Sequence, residues 1–211
     1  MKTKRYSYSK ISLFNSCPLK YKFIYIDKKF KKDESIEAFL GKAIHKTLEW
    51  IYKEKLDKNR EYYSLDHVIN IFKENWHDSW HSNVRKFKYI QRKKSDYFTN
   101  GINSLVKYYQ KFGPYFSQKV YKVEEEFEFQ LNQYSFKAII DRIDKDDDMR
   151  MHIIDYKTGK NMITEKQLEN DLQMGIYLLA VEDRCPDIKK IKLSHYYTSS
   201  NQEVSIDSSK L

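Results

Sequence analysis

The stretch Tyr134–Lys160, YSFKAIIDRIDKDDDMRMHIIDYKTGK, decides how this chain is read. Tyr134–Asp144 and Met151–Lys157 are runs rich in β-branched and aromatic residues, with a charged turn at Lys145–Asp148 between them. Strand residues two apart share a face, so Asp155 and Lys157 project together and Tyr156 turns away. Asp141 reaches the same place if its strand pairs beside theirs. Magnesium prefers a few carboxylate oxygens and keeps several waters, so Asp141, Asp155 and the Tyr156 carbonyl make a plausible open site. A metal there, with the Lys157 amine beside it, suits hydrolysis of a phosphodiester. Spacing alone leaves a plainer reading open, in which Asp141–Arg142 is a structural ion pair and Asp155–Lys157 a surface pair. Asp144, Asp146, Asp148 and Asp155 also fall at positions 1, 3, 5 and 12 of an EF-hand-like loop. Met149 stands where that loop needs glycine, no glutamate closes it, and its flanks are strands, so calcium is excluded.

Working outward, Val120–Leu131 alternates Phe127, Phe129 and Leu131 against Glu126, Glu128 and Gln130, and Asn132-Gln133 turns the chain back. Downstream, Thr164–Gln167 has capping-box spacing, and Leu168, Leu172, Ile176 and Leu179 run down the helix behind it. Pro186 stops that helix. Ile191, Leu193, His195 and Tyr197 alternate along a last strand, and the tail from Ser199 reads as polar and loose.

Before Gly113-Pro114 the pattern is helical. Ser9 caps a short helix with Ile11, Leu13 and Phe14 inward, and Pro18 opens a second. Residues 36–56 carry Leu40, Ile44, Leu48 and Ile51 at helical spacing, with His45 and Glu49 beside that stripe. A lone histidine in that position is ordinarily packed or surface-bound, and His67, His77 and His81 read as surface residues. Ser64 caps a helix with Leu65, Val68, Ile69, Phe72 and Trp76 inward, and Ser95 one carrying Phe98, Ile102, Leu105, Tyr109 and Phe112. Arg85–Lys94, RKFKYIQRKK, reads equally as a track for a phosphate backbone with rings to stack on bases, or as a solvated connector. Helices, then three strands, a helix and a strand make an α/β sandwich around a mixed sheet.

The chain has 211 residues, 40% hydrophobic and 33% charged, which fits one globular domain with residues 57–113 as a helical insertion. A net charge of +9 points to a polyanion such as nucleic acid, or only to a lysine-rich surface. No apolar run has membrane-spanning length. The opening MKTKRYSYSK lacks the apolar core of a secretory signal, so a cytoplasmic protein is expected. Two distant cysteines, Cys17 and Cys185, make neither an expected disulfide nor a metal centre.

Four blocks in order resemble the RecB-like branch of the PD-(D/E)XK nuclease superfamily. They are SYSKISLFNSCPLKYKF at Ser7–Phe23, GKAIHKTLE with Gly41 and His45, AIIDRID…IIDYKTGK, and QMGIY with Gln173 and Tyr177. Together they cover Ser7 to Tyr177. The resemblance implies a restriction-endonuclease-like core with a mixed central sheet flanked by helices and a helical N-terminal half. It implies that His45, Asp141, Asp155 and the Tyr156 carbonyl bind Mg2+ or Mn2+. Asp141, Asp155 and Lys157 would be catalytic, with Gln173 and Tyr177 positioning the substrate strand or bracing the site. Glu124 resembles the strand glutamate that precedes the family's first aspartate. Ala138 departs from the usual glycine. Many relatives hold an iron–sulfur cluster on four cysteines; only Cys17 matches here, so no cluster is expected. The implied activity is metal-dependent cleavage of single-stranded DNA or duplex ends in repair, recombination or defence, with a helicase or recombination protein as possible partner. The competing reading is a nucleic-acid-binding module that recruits or supports a helicase and has little activity of its own.

Overall fold

The computed structural model describes residues 5–29, 33–58, 60–85 and 92–211. Its centre is a six-stranded mixed sheet. The strands are β1 (Arg5–Tyr6), β4 (Val120–Leu131), β5 (Tyr134–Lys145), β6 (Arg150–Lys157), β7 (Lys190–Tyr197) and β8 (Gln202–Asp207). β4, β5 and β6 are antiparallel neighbours, β6 and β7 run parallel, and β8 returns antiparallel on β7. A second, two-stranded sheet joins β2 (Glu34–Ser35) to β3 (Val84–Arg85). The basic run read from Arg85 to Lys94 is described only in part, and its rings Phe87 and Tyr89 lie outside the described residues.

One face of the sheet carries α3 (Ile36–Lys58), α4 (Leu65–Asp78) and α5 (Lys94–Phe112), whose apolar sides close on Val123, Ile154, Tyr156 and Tyr196. The stripe Leu40, Ile44, Leu48 and Ile51 of α3 is buried as its spacing requires. On α5 the buried ridge is instead Tyr97, Gly101, Ser104, Leu105 and Tyr108, turned from the expected one. The reason is close packing: a Cβ on Gly101 would stand 2.3 Å from the Phe72 ring, so only glycine lets α4 come that near. α5 is capped by the Asp96 side chain on the Lys93 backbone, not by Ser95.

The other face carries α1 (Tyr8–Ser16) and α7 (Leu172–Arg184). Ser7, not Ser9, caps α1, and Pro18 opens the four-residue α2 (Pro18–Tyr21) as expected. The helix expected to run from Leu168 to Leu179 is two helices. The Thr164–Gln167 capping box starts α6 (Glu165–Leu168), then Asp171 caps α7 afresh through the Met174 N–H. That break re-phases the helix, burying Met174, Tyr177, Ala180 and Val181 and leaving Leu172 and Leu179 exposed.

The expected loose tail is ordered. Asn201 turns with positive φ, and β8 pairs residue for residue with β7. Its polar residues are used: His152 Nε2 donates to Ser194 Oγ at 2.6 Å, Ser194 Oγ to Glu203 Oε1 at 2.8 Å, and Lys192 Nζ to the same oxygen at 2.7 Å. The His152 ring, its Nε2 3.3 Å from Oε1, then the hydrogen bonds from Lys192 and Ser194, hold the Glu203 carboxyl well below its ordinary value of 4.5 against burial. A depressed carboxylate stabilises the fold above its unfolded pKa, and the benefit disappears as pH falls towards the folded value. Glu203→Gln protein should therefore melt below the parent at pH 7, with the gap closing as pH drops below 4.5. Melting curves between pH 7 and pH 3 check this; parallel curves would count against it.

Candidate active site

Three strands bring the acidic residues into one row. The pairs Val123–Arg142 and Glu125–Ile140 bracket Glu124 and Asp141, which stand opposite each other. The β5–β6 ladder ends at Arg142–Ile154, and one step further Asp141 and Asp155 face across the point where the strands part. Tyr156 N–H, left without a ladder partner there, donates to Asp141 Oδ2 at 2.7 Å. Asp155 in turn pairs with His195 on β7.

The pleat is broken at this row. Glu124 has φ 48°, the left-handed region, in the middle of a strand. Val123 and Arg142 lie on the α3 side, whereas Phe127, Phe129, Ala138 and Ile140 pack on the α7 side. Both strands change their inward face at Glu124 and Asp141. A non-glycine residue held at positive φ is strain that the surrounding structure must enforce, and such strain concentrates at functional sites.

α3 supplies the fourth group. A Cβ on Gly41 would sit 3.1 Å from Thr158 Oγ1, so glycine lets the helix press on the end of β6. One turn on, His45 reaches over the row. Its Nδ1 is 3.4 Å from Asp141 Oδ1, and its Nε2 donates to the Tyr156 carbonyl at 2.8 Å. Donor atoms of His45, Glu124 and Asp141 all lie within 4.8 Å of one another.

α7 holds the other end. Gln173 and Tyr177, four residues apart, share a helix face. The Gln173 amide donates to Asp155 Oδ1 at 2.8 Å and to the Tyr177 hydroxyl at 2.7 Å, while its carbonyl accepts from Lys157 Nζ at 2.7 Å. Tyr177 also donates to Asp155 Oδ1 at 3.4 Å. Lys157 Nζ lies 2.7 Å from Asp155 Oδ2, an ion pair.

Crowding of these carboxylates is visible in their proton affinities. Burial, then the Asp141 charge, raises Asp155 to about 6 despite Lys157. Burial, then Asp141 and Glu49, raises Glu124 to about 7. Burial disfavours the His45 cation, yet Asp141, Asp155 and Glu124 hold its pKa up at about 9. Lys157 is held above its ordinary value: burial opposes its charge, and Asp155 overrides burial. Surplus negative charge around Asp141, met by a histidine proton, fits a divalent cation. His45 lies against Asp141 and the Tyr156 carbonyl, Glu124 joins His45 and Asp141, and Asp155 stands across the parted strands from Asp141, on the Lys157 and Gln173 side. Arg142 does not pair with Asp141; it turns to the opposite face and binds Asp144.

His195 went unnoticed in the sequence, where it reads as one more alternating strand residue. The signal is there once β6 and β7 are aligned: IIDYK and LSHYY place Asp155 beside His195. Its ring is 3% exposed, and neither nitrogen has a hydrogen-bond partner among the described residues. Burial, then the Lys157 charge, lowers its pKa to about 4, so the ring is neutral.

Comparison with known proteins bears on the fold and the family. A solved structure from Eubacterium rectale named "Putative exonuclease" superposes with a TM-score of 0.54 at 10% identity, covering 98% of this chain and 74% of that one. At that identity the likeness bears on the fold alone. SSO0001, at TM-score 0.34 and 15% identity over 92% of this chain and 78% of its own, is too distant in backbone to carry an argument. No curated protein matches the sequence. The family model for the PD-(D/E)XK nuclease superfamily matches residues 5–205, nearly the full length over which the sheet, its helices and the acidic row are laid out, and the chain belongs to that superfamily.

Proposed function

We propose that this chain is a Mg2+- or Mn2+-dependent DNA nuclease of the RecB-like type, cutting single strands or duplex ends. The observation that carries the reading is the row Glu124–Asp141–Asp155, its aspartates buried, with His45 above it and Lys157 beside it. His45, Asp141, Asp155 and the Tyr156 carbonyl would hold the cation, with Glu124 as a supporting carboxylate. When bound, the cation supplies charge neutralisation at the phosphodiester and a lowered pKa for the attacking water. The chain's own residues position and balance charge. Lys157, kept protonated, offers its ammonium to phosphate oxygens that gain charge as the bond breaks. Gln173 serves Lys157 with its carbonyl and Asp155 with its amide, so one side chain fixes both.

Access supports a nucleic-acid strand as substrate. A groove of 820 Å³, bordered by Asn100, Asn103, Lys107 and Thr158–Lys160, opens beside the residue that follows Lys157. A smaller one of 220 Å³, with Ser7, Ser9 and Lys137 on its walls, reaches Gln173 and Tyr177 from the other side. Side-chain amides, hydroxyls and lysines suit a phosphate backbone. Among the described residues no helix is long and apolar enough to cross a membrane.

The test is cleavage of end-labelled single-stranded and duplex DNA with Mg2+ or Mn2+, against EDTA and against matched RNA. Divalent-dependent cutting of DNA is expected. Tight binding without cutting would return the chain to the binding-module reading, and a clear preference for RNA would overturn the substrate.

A further inference from the structure

We propose that His195 is a positioning residue for Asp155, its ring donating from Nε2 to the Asp155 carboxylate when that carboxylate holds a cation. The inference rests on the metal-site reading above. Buried polar atoms are almost always satisfied, and a native exception calls for an explanation. Here neither His195 nitrogen has a hydrogen bond among the described residues, and Nε2 lies 4.0 Å from Asp155 Oδ2, an oxygen whose close contact is the Lys157 ammonium at 2.7 Å. Nε2 is a possible donor and Oδ2 an acceptor. Closing the gap by about 1 Å would bring them within hydrogen-bond distance.

The arrangement is held by the parallel β6–β7 ladder, in which Asp155 and His195 are direct partners. Asp155 Oδ1 accepts from Gln173 and Tyr177, and Oδ2 has Lys157 in charge contact on its more exposed flank. His195 approaches from within the sheet, where an apolar side chain would fill the volume as well. Its packing alone, with the Tyr197 ring 6.3 Å away, does not need a nitrogen. Groups that orient a ligating carboxylate in this way sharpen metal affinity without touching the metal.

Mn2+ binding followed by electron paramagnetic resonance separates this role from packing. His195→Leu keeps the bulk and removes the donor, and should weaken Mn2+ binding by about 10- to 100-fold. His195→Gln places an N–H near the Nε2 position and should restore binding to within about threefold of the parent. Parent-like Mn2+ binding by folded His195→Leu protein overturns the proposal, as does failure of His195→Gln to recover. Should the variants not fold, the parent answers alone. 15N spectra of its histidines should show His195 as the Nε2–H tautomer, with an Nε2 resonance that moves on adding Mg2+. The Nδ1–H tautomer, or no response to Mg2+, overturns it. Asp141→Ala is the control: if it binds Mn2+ like the parent, or the parent binds none, the metal-site reading itself fails.

Discussion

Asp155→Ala and Lys157→Ala proteins are each expected to cut DNA about 10³-fold more slowly than the parent, and the double variant no more slowly than the worse single one. The pair acts as a unit. Asp155 keeps the Lys157 amine charged and in place, and Gln173 bonds to both, so losing either misplaces the other. The losses should come without unfolding. Asp155 has its pKa raised to about 6 by burial and by Asp141. A carboxyl so raised favours the folded state only while protonated, and that contribution fades as pH rises through the folded value. At pH 8 the ionised, buried Asp155 is unfavourable in the metal-free protein, which offsets part of what Asp155→Ala takes from Lys157, Gln173 and Tyr177, so the variant should still fold and melt cooperatively above the assay temperature. Single-turnover cleavage at saturating Mg2+, with melting curves beside it, checks both halves. Cleavage within about tenfold of the parent in either single variant would sink the catalytic assignment.

The parts of this site readable in the sequence are those set by local periodicity. A period of two puts Asp155 with Lys157, and a spacing of four puts Gln173 with Tyr177 and Gly41 under His45. These relations survive whatever the rest of the chain does. What escaped depends on pairing between distant strands or on a break in the period itself. Counting alternate residues along β4 assumes a constant pleat, but the turn of the backbone at Glu124 reverses the inward face. Phe127 and Phe129 are buried as expected, and Leu131, beyond them at the turn, is exposed. β8 lacked the apolar alternation of a strand because it lies at the sheet edge and buries only Ile206 fully. The α5 ridge was hidden for a different reason. Its buried members include tyrosines, a serine and a glycine, residues whose burial only the neighbouring helices and Arg142 make favourable.

That arginine carries the second large effect, on stability. Arg142 is 5% exposed, directly after Asp141, and its side chain crosses to the helical face. There Nη1 donates to the Tyr108 and Tyr156 hydroxyls at 2.9 and 3.0 Å, Nη2 donates to Asp144 Oδ2 at 3.0 Å, and the guanidinium stacks 4.7 Å from the Tyr52 ring centroid. Arg142→Met strips a half-buried carboxylate of its partner and takes one donor from the Tyr108 and Tyr156 hydroxyls, which keep each other. Breaking a buried pair from one side typically costs about 3–5 kcal/mol. For a chain of this length that is a fall in melting temperature of roughly 10 °C. Most of the cost is the charge left behind, so Arg142→Met/Asp144→Leu, which removes both ions and keeps the volume apolar, should regain a large part of it. Thermal unfolding of the parent, both single variants and the double gives the coupling directly. An additive double variant, as unstable as the two singles together, would mean that the tyrosine hydroxyls and not the ion pair hold this layer. Recovery in the double variant would instead identify Arg142–Asp144 as the clamp that fixes Tyr156, whose backbone carries the Asp141 and His45 contacts of the site.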